Sequence, residues 1–192
     1  MPKRYRLHIL KRPRVFSDGC ITVAYVADKL TSKPVLVIDV VRDLLKNKKQ
    51  TCCFVEEREA DHIPGEYYGL VQMEARVFVE DMLNDRRMGN VSIMHELGHY
   101  LCGHHKPEKM VEDYSRVRKE FDGVMPQELE ADEFAIRECG IKDFLYFIDK
   151  LTAKRQSYEW DKNREIALKE FGLRKEHALE YAKKLQSEDD RV

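Results

Sequence analysis

The chain has 192 residues, of which 43% are hydrophobic and 36% charged, with 34 Lys and Arg against 35 Asp and Glu. This length suits one domain with a substantial core, and the hydrophobic share excludes a disordered composition. The near-neutral balance gives no electrostatic argument for a nucleic-acid or membrane partner, and no apolar run approaches the ~20 residues of a membrane span.

The first 89 residues carry the strand-like material. Residues 21–26 (ITVAYV) and 52–55 (CCFV) are short β-prone runs. Residues 67–79 (YYGLVQMEARVFV) form a longer one, in which Ala75, Val77 and Val79 alternate with Arg76, Phe78 and Glu80. Between these runs, residues 34–46 place Val37, Val40, Val41, Leu44 and Leu45 at helical spacing, while VLVID equally suits a strand. The basic N-terminus, MPKRYRLHILKRPRVF, lacks the apolar stretch of a signal peptide.

From Asn90 onward the pattern is helical. Asn90 is the expected N-cap of a helix over VSIMHELGHYLC, with Gly103 as its left-handed stop. Pro107 opens a second helix with Met110, Val111, Tyr114, Val117 and Phe121 on one side. Pro126 opens a third, stopped by Gly140, and a fourth starts at Ile141. One or two further helices surround Gly172, with a frayed end. Two amphipathic pieces there could be taken for a DNA-binding helix-turn-helix, but balanced charges favour a packing hairpin. Strands first and helices second predict an α+β fold: a small mixed sheet on a helical part. The expected organisation is one domain of three parts: strand-rich 1–89, metal-site helices over 90–152 and C-terminal helices over 153–192.

Residues 95–99 read His-Glu-Leu-Gly-His. At 3.6 residues per turn His95 and His99 share a helix face, so both imidazoles can reach one ion. Zinc accepts neutral imidazole nitrogens and, in catalytic sites, keeps a position open for water. Glu96, rotated about 100° from His95, is poorly placed as a ligand and well placed to take a proton from an attacking water. Gly98 inside the helix costs ~1 kcal/mol in propensity, which predicts close backbone packing.

A second motif follows, Glu128-Leu129-Glu130-Ala131-Asp132-Glu133-Phe134-Ala135. Glu128 and Asp132 lie one turn apart, with Ala131 and Ala135 along the stripe, so this helix can approach the first closely. Glu128 is then the expected third ligand and Asp132 the partner of a ligating histidine's second nitrogen. An acidic, solvated helix start is the plain alternative.

HELGHYLCGH followed by ELEADEFA resembles the gluzincin metallopeptidases, in particular the ImmA/IrrE-type proteins and, over ADEFAIRECGIKDFLYFIDKL, the HtpX-like group. The resemblance covers roughly residues 90–152. It implies a zincin-like fold, Zn2+ as cofactor, Glu128 as the completing ligand, Asp132 behind the metal, and cleavage of an intracellular regulatory protein or peptide. It also implies a substrate-binding strand over the active helix, expected at Ala75, Arg76, Val77, Phe78 and Val79; an interior strand is the alternative.

His105 is a rival third ligand. It stands ten residues after His95, as in the metzincin pattern, but Cys102 occupies the position where that pattern needs glycine. His104 and His105 otherwise suit a helix C-terminus. Cys102 faces the ligand side and is expected to be a packing residue rather than a redox-sensitive brake. Five cysteines, two of them adjacent, suggest free thiols in a reducing, cytoplasmic compartment. Tyr100, Tyr114 and Tyr158 are candidates for a stabilising hydroxyl. The reading is thus a zinc metallopeptidase; the alternative is a catalytically silent zinc module with a regulatory role, of phage or mobile-element type.

Overall fold

Apolar alternation builds the sheet. A computed structural model describes residues 4–16, 20–41, 55–59, 67–109, 123–158 and 163–189. Its strands are β1 (Tyr5–Val15), β2 (Cys20–Asp28), β3 (Pro34–Val41), β4 (Val55–Glu59) and β5 (Tyr67–Glu74). They form one five-stranded sheet in the order β1-β2-β3-β5-β4. The first three are antiparallel neighbours, β3 runs parallel to β5 with Ile38 opposite Val71, and β4 pairs antiparallel with β5. β5 therefore inserts between β3 and β4, and β4 is an edge strand among the described residues. VLVID is a strand, not a helix: Leu36 and Ile38 are fully buried at the strand period. Of the expected run at 52–55, residues 52–54 lie outside the described residues.

The strand expected across Ala75, Arg76, Val77, Phe78 and Val79 is not one. Ala75–Val77 is a helical turn, α1, which continues as a π-helical stretch over Phe78–Asn84. Phe78 and Met82 are buried and Ala75 packs against the core, while Val79 is exposed. The spacing of 75, 78 and 82 is helical, and it prevails over the alternation that suggests a strand.

The next helix, α2 (Arg86–Leu101), starts one turn earlier than Asn90. Its N-cap is Asp85, whose carboxylate accepts from the Met88 N–H at 3.1 Å and from the Tyr146 hydroxyl at 2.8 Å. α3 (Pro126–Cys139) and α4 (Ile141–Gln156) follow, with Pro126 in the first turn of α3. The last helix, α5 (Arg164–Asp189), passes through Gly172 without a turn, so neither hairpin nor helix-turn-helix forms there. Glu170, Arg174 and Ala178, one turn apart, are all buried and hold it as one piece. Only Pro107–Lys109 of the helix expected after Pro107 is described, as a 3-10 turn; residues 110–122, with Tyr114, lie outside the described residues.

α2 lies between the sheet and the remaining helices, packing on α3 and α4 and reaching β3, β4 and β5. A Cβ on Gly98 would meet the Ala131 Cα and carbonyl oxygen at 3.0 Å, so two small residues set the α2–α3 approach. The fold is α+β, and no described helix is long and apolar enough to cross a membrane.

Candidate metal centre

The α2–α3 contact brings His95, His99 and Glu128 together, with one ligand atom from each within 4.8 Å of the others. The His95 and His99 Nε2 atoms are 3.1 Å apart. Glu128 places Oε2 at 3.3 Å from His95 Nε2 and Oε1 at 3.5 Å from His99 Nε2. A tetrahedral ion with bonds of about 2.0–2.1 Å has ligand–ligand edges of about 3.3 Å. The 3.1 Å between the two imidazole nitrogens is close to such an edge, and Glu128 turns one oxygen to each ring, so the three groups could hold a divalent ion.

The two rings differ in protonation. Burial, reinforced by the neighbouring His95 charge, pushes the His99 pKa down to about 3, so it is a neutral donor. Burial also opposes charge on His95, but hydrogen bonds to Asp132 and Glu128 outweigh it and raise its pKa to about 10. Metal-free His95 is therefore an imidazolium between two carboxylates, and an ion would take the place of its Nε2 proton. Glu128 resists burial and stays well below the usual carboxylate range through its His95 hydrogen bond and the charges of His95 and Arg174.

Behind the ligands, His95 Nδ1 meets Asp132 Oδ1 at 2.9 Å. Asp132 is fully buried and receives a two-pronged bond from Arg174, Nε to Oδ2 at 2.7 Å and Nη2 to Oδ1 at 2.6 Å. The same guanidinium reaches Glu128 Oε2 with Nη1 at 3.3 Å. Arg174 escaped the sequence reading. Its signal was a charge inside the stripe Phe171, Arg174, Ala178, Tyr181, Leu185, where a buried cation needs buried carboxylates.

Glu96 is half-buried on the same helix. Burial raises its pKa and the Glu128 charge adds to the effect, against the lowering influence of His95 and Arg174. A carboxyl held up in this way is a stronger base toward water than an ordinary carboxylate.

His105 is not in the group. Its ring stacks on Tyr100 with centroids 5.1 Å apart, and its Nε2 lies 3.5 Å from Glu57 on β4. Tyr158 is exposed. Cys102 belongs to a different cluster, with His104 and Glu130. Burial raises its thiol pKa, unlike that of an activated thiolate. Comparisons with family models, with curated proteins and with solved structures find no match to this chain.

Proposed function

We propose that the chain is a zincin-like, zinc-dependent metallopeptidase that hydrolyses a peptide bond in a protein or peptide substrate. The observation that carries this reading is the convergence of one ligand atom each from His95, His99 and Glu128 to within 4.8 Å of one another, beside Glu96. Two histidines and one carboxylate make a catalytic donor set, whereas structural zinc sites are usually closed by four protein ligands rich in cysteine. That contrast favours an enzyme over a silent zinc module.

Bound zinc would supply Lewis acidity at the scissile carbonyl. Glu96 takes the proton of the attacking water and returns it to the leaving nitrogen. Asp132 keeps one His95 proton on Nδ1, so the proton a metal would displace is the one on Nε2, and Arg174 holds Asp132 ionised. Edge strand β4, which packs on α2, takes the substrate-pairing role first given to residues 75–79, since α1 offers no strand edge. The ImmA/IrrE-type resemblance points to an intracellular regulatory protein as the substrate.

The test is metal analysis of the purified protein joined to cleavage of an unbiased peptide library. Wild type should hold close to one zinc per chain. Glu96→Gln should keep the metal and lose ~10²–10⁴ in rate. A wild type that takes up no zinc on reconstitution, or a Glu96→Gln variant as fast as wild type, would sink the reading.

A further inference from the structure

The turn after α2 folds back on the metal-site face. Gly103 adopts a left-handed φ of 72°, and the His104 N–H bonds to the His99 carbonyl at 3.0 Å. His104 is thereby brought under His99, its Nδ1 2.8 Å from His99 Nδ1. Its other nitrogen, Nε2, lies 3.0 Å from Glu130 Oε2. The His104 side chain is 5% exposed and that of Glu130 55%. A chain of contacts thus runs from His99 through a buried ring to a carboxylate in solvent.

Resting on the metal reading above, we propose that His104 and Glu130 are positioning residues for His99, forming a one-way imidazole–carboxylate relay that fixes its tautomer. Two ring nitrogens 2.8 Å apart share one proton. When His99 ligates through Nε2, its proton sits on Nδ1 and is donated to His104 Nδ1, which is bare. His104 then carries its own proton on Nε2 and donates it to Glu130. Each ligating histidine therefore has its back nitrogen held by an α3 carboxylate. Asp132 does this directly for His95, and Glu130 does it through a second ring for His99.

The same proton count bears on the other cluster. Ligand atoms of Cys102, His104 and Glu130 also lie within 4.8 Å of one another. A metal on His104 Nε2 would move the His104 proton to Nδ1, against His99 Nδ1. His99 would then have to carry its proton on Nε2 and leave the first site. Two ions do not coexist in this geometry, and the His104 cluster serves the first site as its support.

The test is zinc titration of the metal-free protein against a competing chelator, for wild type, His104→Ala, His104→Asn and Glu130→Gln, alongside thermal unfolding of each metal-free form. His104→Ala should weaken zinc binding ~10–100-fold. His104→Asn should recover most of that loss, because its Oδ1 accepts at the Nδ1 position without reaching Glu130. Glu130→Gln should fall between, keeping an acceptor but no charge; this variant and His104→Asn carry the test if His104→Ala does not fold. Wild-type affinity in His104→Ala overturns the relay while leaving the metal reading intact. An Asn variant as weak as Ala, with metal-free stability lowered to match, overturns it in favour of packing. Two equivalents of cobalt, with a thiolate charge-transfer band lost in Cys102→Ser, overturn it in favour of a second site. A wild type that binds no metal overturns both proposals.

Discussion

His95 is raised to about 10 in the metal-free chain while its neighbour His99 falls to about 3. The two rings share a helix face and differ in partners: hydrogen bonds to Asp132 and Glu128 overcome burial at His95, whereas at His99 burial and the His95 charge outweigh Glu128. Zinc must displace the His95 proton, so its apparent affinity should climb about tenfold per pH unit from neutrality to about pH 9, one proton leaving per ion. With an ordinary histidine pKa of about 6.5 the curve would be flat over that range. Competition titrations across it, with proton release read in two buffers of different ionisation enthalpy, decide between the two. Without metal, the raised pKa adds stability that is complete below about pH 6.5 and lost as pH rises towards 10, so the chelated protein should weaken on that side. The choice of third ligand is also a residue-scale question. Glu128→Ala should abolish tight zinc binding and His105→Ala should change it little, since His105 lies against Glu57 and Tyr100. The reverse pattern in a zinc titration would restore the metzincin-like assignment.

At the scale of elements, α5 matters most for what it brings to the centre. Its Arg174 is buried between Asp132 and Glu128, both from α3. Removing it takes the two-pronged cation from the fully buried Asp132 and leaves that carboxylate only His95, and losing one partner of a buried pair costs ~3–5 kcal/mol. Arg174→Ala should show that loss in denaturant unfolding, and Asp132→Asn added to it should recover part. A loss under ~1 kcal/mol would mean that α5 is held by apolar packing alone. The His-Glu-Leu-Gly-His face, Glu128 with Asp132, and the Gly98–Ala131 approach could all be read from the chain, because helical periodicity fixes which residues share a face. Arg174 could not be paired, since its partner lies 42 residues away and only packing decides which buried charge it meets. His104 was hidden for a similar reason: a left-handed turn, not a helix, returns it to His99. Residues 75–79 satisfy two periods at once, and burial of Phe78 and Met82 against the core selects the helical one.

For the whole molecule, the centre joins parts that are distant in sequence. α2 rests on the sheet, α3 supplies Glu128 and Asp132, and α5 supplies Arg174, so an ion held by His95, His99 and Glu128 ties sheet-bound and outer helices together. Such an ion binds the folded chain in preference to the unfolded one. At a free concentration of about a thousand times its dissociation constant it adds ~4.1 kcal/mol to stability. A domain of this size moves by roughly 2–4 °C in its unfolding midpoint per kcal/mol, so loaded and chelated protein should differ by about 8–16 °C. Glu96→Gln should retain the whole difference, because that carboxylate acts on water and not on the ion. His95→Ala should erase it, with the chelated variant unchanged by added zinc. Scanning calorimetry of the three proteins with and without chelator makes the comparison. A wild-type midpoint indifferent to chelator would mean that no ion is coupled to this fold, whatever the geometry of its ligands.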